Sequence, residues 1–231
     1  IMTQDGSSLK LKEKSSRGSS HGNSSWIVAI PDGMDIEVSY SSASGDLKAS
    51  DIAVTLTINT ASGDIKLQDV MGDVKGTTAS GDIKLRQFKG NIKGKTASGD
   101  IKGSNIEGQF ELATASGDVE LSSVLLTNSS SFETASGDVE ISMNKSPAND
   151  LELSSASGNV TLNMQGNGLQ GTITMSTKVG MNYKINAPFE FDSSKTYDHY
   201  GQEYIEKSVI LGNSNPRIKL STSSGDATIN D

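Results

Sequence analysis

Ala61-Ser62-Gly63-Asp64-Ile65-Lys66-Leu67-Gln68-Asp69-Val70-Met71-Gly72-Asp73-Val74-Lys75-Gly76-Thr77-Thr78 runs directly into Ala79-Ser80-Gly81-Asp82-Ile83-Lys84-Leu85, where the same pattern restarts. The tetrapeptide Ala-Ser-Gly-Asp also occurs at 43–46, 97–100, 115–118 and 135–138, with variants Ala156-Ser157-Gly158-Asn159 and Ser223-Ser224-Gly225-Asp226. Its glycines are 18 residues apart from Gly45 to Gly117, then 20 and 21 apart to Gly137 and Gly158. A constant period means equivalent units stacked on one another.

A finer period runs inside it, because Gly63, Gly72, Gly81, Gly90, Gly99, Gly108 and Gly117 are nine residues apart. Each long repeat therefore divides into two unequal halves. Ile65-Lys66-Leu67 and its equivalents through Val139-Glu140-Ile141 alternate apolar and charged, the period of a strand. Gly72-Asp73-Val74-Lys75-Gly76 and its equivalents predict a second strand with its own turn glycine. Such coils bury their apolar side only by stacking, each strand pairing in parallel with its counterpart about 4.8 Å along the axis. The predicted fold is thus all-β: a single-stranded parallel β-helix, or solenoid, with coils of 18 to 21 residues. Leu47, Ile65, Ile83, Ile101, Val119, Val139 and Val160 form one inward ladder, and Val74, Ile92 and Phe110 face it. Right-handed coiling is expected from the hand of parallel crossovers. The alternative, a left-handed triangular helix, would place an aliphatic residue every six positions, whereas the finer period here is nine.

The repeated corner carries two predictions. Glycine after serine is expected to supply positive φ at no steric cost, and the following Asp to bond its own backbone as an Asx-type turn. A calcium ladder is the competing account of the Asp column. It is disfavoured because Asn91 and Gln109 replace the acid in alternate halves, and calcium requires six or more oxygens. Thr60, Thr78, Thr96, Thr114 and Thr134 form a further column, whose ice-binding alternative needs a flat array that a bent corner does not offer.

Composition narrows the class further. With aromatics at 5% and hydrophobics at 33%, the core is thin, as a solenoid permits. The absence of cysteine excludes disulfides and thiolate metal sites. The longest apolar run, Trp26 to Ile30, is too short to cross a bilayer, so no transmembrane segment is predicted. No cleavable leader is read in Ile1-Met2-Thr3-Gln4-Asp5, which says nothing about compartment. Charge is uneven: residues 1–103 hold 13 Lys and Arg against 12 Asp and Glu, and residues 104–231 hold 7 against 16. The outward column switches accordingly, from Lys48, Lys66, Lys84 and Lys102 to Glu120 and Glu140. It is predicted to be a solvated face, and an acidic chain without aromatics interleaved in a basic patch is not expected to bind nucleic acid.

Three segments interrupt the repeat. Residues 1–25, rich in Ser, Gly, Lys and His and including His21, are expected to be an irregular lead-in. Trp26-Ile27-Val28-Ala29-Ile30, Pro31-Asp32-Gly33 and Met34 to Tyr40 predict strand, turn and strand, the first full coil of a single domain over 26–231, with Trp26 closing that end of the core. Between Gly158 and Gly225 the motif is missing for 67 residues. Within that gap lie Tyr183, Phe191, Tyr197, His199, Tyr200 and Tyr204, expected to form a loop thrown out around 183–204. These six are the candidate ligand-binding residues, because insertions between solenoid repeats carry binding and aromatic rings beside acids suit a sugar or a peptide. The bland alternative is that they cover the end of the core.

Enzyme signatures are absent. No cysteine nucleophile exists, the histidines are His21 and His199, and the arginines are Arg17, Arg86 and Arg217. No catalytic residue, metal site or cofactor is predicted. A glycan-active lyase or hydrolase is the alternative, resting on Asp192, Asp198, His199 and Glu203.

Trp26-Ile27-Val28-Ala29-Ile30-Pro31-Asp32-Gly33, then Ile36-Glu37-Val38 and Ser44-Gly45-Asp46-Leu47-Lys48, resemble the entry to bacterial adhesin-type β-helix domains. The repeated Ser-Gly-Asp-Ile-Lys, the segment Ile210-Leu211-Gly212-Asn213 and the closing Ile218 to Asp226 are similar to the same family, whose function is uncharacterised. The resemblance implies a secreted or envelope-associated β-helix that recognises a glycan or protein ligand at the cell surface. It transfers no functional residue, since the shared positions are turn and core positions.

Overall fold

The computed structural model describes residues 2–5, 8–11, 25–31, 33–34, 36–180 and 182–231. Two compact units result, Ile1–Met34 and Asp35–Asp231. In the first, Met2–Asp5 and Ser8–Leu11 pair as an antiparallel hairpin. Most of the expected lead-in, including His21, falls outside the described residues. Trp26–Ile30 does not form the predicted strand, and Trp26, Ile27 and Val28 are exposed, with Ile27 at 95%. The first coil of the second unit begins with the strand Glu37–Ser42. An apolar run makes a strand only where context lets it pair and pack.

The second unit is a parallel β-solenoid, as the period predicts. Ile65 pairs with Leu47 on one side and Ile83 on the other, and the same register continues through Ile101, Val119, Val139 and Val160. The opposing face stacks Leu56, Val74, Ile92 and Phe110 in register. Both columns are buried, Leu47 at the first coil only partly, and stacked Phe110 and Phe132 rings, 6.2 Å apart, fill the space between faces where the coils lengthen. Each buried aliphatic side chain contributes about 2 kcal/mol by leaving water, which makes the apolar columns the main cohesive force.

The coil has three sides, one more than the glycine period predicts. The strand Ile65–Met71 bends at Asp69, whose φ is +53°, and equivalent bends occur at Asp51, Gln87, Asn105 and Ser123 with φ of 50–54°. After the bend, Val70, Phe88, Ile106 and Val124 add a third buried column. In one coil Ile65, Leu67, Val70, Val74 and Thr78 point inward, a spacing that does not follow the six-residue period of the triangular alternative.

The glycine prediction needs correction at the Ala-Ser-Gly-Asp corner. Gly63, Gly81 and Gly99 do not have positive φ, whereas Gly72, Gly90 and Gly108 do, at 129° to 152°. What the corner demands is close approach: a Cβ on Gly81 would fall on the carbonyl group of Gly63, one coil away, and a Cβ on Gly99 would fall on that of Gly81. Glycine lets the backbones touch.

The 67-residue gap closes in space. Strand Leu151–Ser155 pairs in parallel with Arg217–Thr222, and Val160–Asn163 pairs with Ala227–Asn230. Those late strands pair in turn with Gly171–Lys178 and Ile185–Asn186, which precede them in sequence. The chain therefore builds its outermost coil first, and its C-terminal coil then takes the place between that coil and the rest. The supposed loop is regular as well. Ser193–His199 and Gln202–Leu211 form an antiparallel hairpin, whose second strand pairs antiparallel with Gly171–Lys178 and so extends one face of the solenoid.

Candidate functional site

Most polar side chains of the regular coils hold the coils together. The Thr78 hydroxyl accepts the N–H of Gly81 at 3.0 Å and donates to the carbonyl of Gly63 in the preceding coil at 3.1 Å. Thr96 and Thr114 do the same, while Thr134, Ser155, Thr222 and Thr177 make the carbonyl bond. The threonines are buried, which overturns the ice-binding alternative: a hydroxyl committed inside the corner presents nothing to a surface.

The Asp column is a second ladder, and its bonds run between coils, not within an Asx turn. Oδ1 of Asp46 accepts the N–H of Asp64 at 2.9 Å, and the pattern repeats through Asp82, Asp100, Asp118, Asp138 and Asn159. Asp226 then donates to Asn159 at 3.0 Å, and Lys184 donates to Asp226 at 2.8 Å, so the ladder crosses the gap without a break. The amide after each Asp is already committed between coils, as Ile65 N–H donates to the Asp82 carbonyl at 2.8 Å, and the Asp side chain likewise bonds to the next coil. The second oxygens of Asp64 and Asp82 meet Lys66 and Lys84 at 2.9 Å. These lysine contacts, helped by the backbone N–H of the next coil, hold both carboxyls below their ordinary pKa. Glu111 is lowered by Lys93, and Asp150 by the backbone and guanidinium of Arg217. The lysine column is thus a solvated face knitted to its own acids.

Four of the six predicted ligand-binding residues come together on the hairpin. Tyr197 and Tyr204 are directly opposite in the antiparallel register, their rings stacked 5.6 Å apart at 17°. His199 sits edge-on to both Tyr204 and Tyr200, at 6.2 and 4.6 Å. Tyr200 occupies the turn at φ +54°, followed by Gly201 at +74°, and is 92% exposed. The alternation of the strands places Lys195, Tyr197 and His199 on one side with Glu206, Tyr204 and Gln202. Lys195 and Glu206 form an ion pair at 2.9 Å, which raises the Lys195 pKa.

Phe191 lies elsewhere. It packs edge-on to Phe189 at 5.5 Å, against the buried core, with the Lys207 ammonium 5.6 Å from its ring. It does what the bland alternative describes, covering apolar surface at the end of the solenoid. Tyr183 is half-buried just before the rung Ile185–Asn186 and does not join the cluster. Among the acids of the enzyme alternative, Asp198 accepts the turn N–H of Gly201 at 3.0 Å and Asp192 accepts the N–H of Ile210 at 3.4 Å. Glu203 faces Asp198 across the strands. Lys195, Gln202 and Glu206 were not anticipated as neighbours of the tyrosines. Gly201 is the only mark of the turn that brings them there, because Tyr200 stands where a two-residue hairpin usually has Asn, Asp or Gly.

The Toastrack DUF4097 family matches residues 2–182, well over half of the chain. The chain belongs to this family. The matched span ends before the aromatic hairpin and the C-terminal coil. A search of the curated proteins found no match, and a search of the solved structures found none.

Proposed function

We propose that this Toastrack chain is a non-enzymatic binding module, an adhesin-type domain whose solenoid is the stalk and whose hairpin is the recognition surface for a glycan or a protein. The observation that carries this is a division of labour among polar and aromatic groups. Thr, Asp and Gly of the repeats are consumed by contacts between coils, while Tyr197, His199, Tyr200 and Tyr204 occur once and cluster on an outward sheet face. Aromatic side chains supply contact area at low entropy cost, and they dominate interface hot spots. The resemblance to envelope-associated β-helices supports export to the cell surface or beyond it. Because Asp192 and Asp198 are engaged with backbone N–H groups of their own hairpin, the acids support recognition better than hydrolysis.

The test is a glycan array together with a panel of envelope proteins, run on the wild type and on Tyr197→Ala with Tyr200→Ala. The double variant should weaken any ligand found by about 1 kcal/mol or more with its circular dichroism unchanged. Binding that survives it but is lost when Lys66 and Lys84 are reversed to Glu would move recognition to the charged column. Turnover in a parallel lyase and hydrolase screen would replace the binding reading by the enzymatic one.

A further inference from the structure

Ser193–His199 is an open sheet edge. It pairs with Gln202–Leu211 on one side, and among the described residues no strand pairs with the other. All seven residues are exposed, none is Gly or Pro, and the register runs without a bulge from Ser193 opposite Ser208 to His199 opposite Gln202. Proteins guard such edges with proline, bulges, very short strands or free lysines, because unpaired N–H and C=O groups template a further strand. The one lysine here, Lys195, is drawn to Glu206 at 2.9 Å, which offsets the charge that would repel an incoming strand.

We infer that this edge pairs with the same edge of a second copy, antiparallel about a twofold axis at Tyr197. Three features point to self-pairing in this register. Tyr197 uses one ring face on Tyr204, and its other face is directed away from Tyr204, toward the open side, with the residue 39% exposed. Only a symmetric register centred on Tyr197 sets the two Tyr197 rings opposite each other, continuing the cross-strand stack into a ladder of four rings; aromatic pairs across strands are among the stabilising ones. That register also sets Thr196 opposite Asp198 of the second copy, a hydroxyl donor against a carboxylate, and Lys195 opposite His199. A register shifted to centre on Thr196 would instead oppose Lys195 to Tyr197 and lose the four-ring ladder.

The geometry leaves room for this. The hairpin extends one face by two strands beyond the outermost coil, so two copies joined edge to edge keep their outermost coils about five strand spacings, roughly 24 Å, apart. The dimer closes on itself, since an isologous edge contact uses both copies of the same strand. The four tyrosines would then lie on one continuous outward face, presenting two aromatic surfaces to a ligand together. This pairing does not depend on any ligand, so it stands or falls separately from the binding function.

The absence of cysteine makes the test direct. Sedimentation of the wild type across roughly 1–200 μM, the range in which a micromolar association shows, should reveal a reversible monomer–dimer equilibrium. Tyr197→Lys should weaken dimerisation at least about tenfold with its circular dichroism unchanged. Under mild oxidation the Tyr197→Cys variant should cross-link to itself. Lys195→Cys alone should not, whereas Lys195→Cys mixed with His199→Cys should. A wild type that remains monomeric over the whole range overturns the inference. So does efficient self-cross-linking of Thr196→Cys but not Tyr197→Cys, which would refute the register. A monomer whose Ser193–His199 amides become protected from hydrogen exchange only on adding a foreign peptide would assign the edge to that peptide, and overturn self-pairing too.

Discussion

Gly81→Ala should be far more damaging than a glycine substitution at an ordinary left-handed turn, although Gly81 has no positive φ. The added Cβ would lie well inside 3.0 Å of both the carbon and the oxygen of the Gly63 carbonyl, and neither is the end of a flexible side chain. Relief requires the two coils to part at the corner. Parting them breaks the Thr78 hydroxyl's bonds to Gly81 N–H and Gly63 carbonyl, at 3.0 and 3.1 Å, and strains the Asp82 N–H bond to Asp64 at 3.0 Å. Each such bond is worth about 1 kcal/mol net, and more where a buried partner is left unpaired, so the loss should be about 3–5 kcal/mol. Gly166 supplies the contrast, with φ at +77° and nothing within 4 Å of its would-be Cβ. Alanine there meets only backbone strain, about 1–2 kcal/mol. Urea titration followed by circular dichroism gives both values, and Gly99→Ala should behave as Gly81→Ala does. Gly81→Val and Gly99→Val should be at least as severe. Losses under about 1 kcal/mol at both corner glycines, or a loss at Gly166 equal to theirs, would refute close approach as the reason for glycine.

Thr96→Val keeps the volume but removes a buried hydroxyl that serves two coils; it should cost about 2–3 kcal/mol in the same titration, while Thr96→Ser should cost much less. Asp82→Asn should be nearly neutral, since Asn159 fills the same ladder position with its Oδ1, whereas Asp82→Ala should cost about 1 kcal/mol by orphaning the Asp100 N–H. EDTA and added calcium should leave the melting temperature unchanged, because a metal bound only by the folded chain would raise it; a calcium-dependent rise would restore the metal ladder. Asp64, Asp82, Glu111 and Asp150 have folded pKa values below their unfolded ones, so their stabilisation is fully present above about pH 4 and is lost as pH falls through the lower folded values. Partly exposed pairs contribute only a few tenths of a kcal/mol each, so acid should lower the melting temperature gradually below pH 4, and Asp150→Asn should flatten that slope. Deleting residues 213–231 should expose together to hydrogen exchange those amides of Gly171–Lys178 and Leu151–Ser155 that face the removed coil, Thr172 among them, while amides of Gly171–Lys178 that face Gln202–Leu211 stay protected; protection retained at Thr172 would contradict the order of coils.

The 18-residue period was enough to determine the solenoid, its parallel register and its two main apolar columns. These depend on residues that recur at a fixed spacing, and any stacking that buries Ile65 must also align it with Ile83 and Ile101. The period also marked the corner glycines and the cluster of tyrosines as special. It could not say why. Whether Gly81 is needed for its dihedral or for the atom one coil away depends on the distance between chain segments, which no spacing along the chain records. The left-handed bends at Asp69, Gln87, Asn105 and Ser123 stayed hidden because four different side chains adopt one conformation, held there by the stacked coils and not by local preference. Asp spoke of a turn in the sequence, yet its partner lies in the next coil, and Thr, legible only as a column, ties its own corner to the preceding coil. The largest decision was at the C-terminus, where Asp226 sits one step from Asn159 and 67 residues away from it in the chain. Strand pairing depends on which edge is free when a segment arrives in space, so only the folded structure could place the last coil inside the one that precedes it.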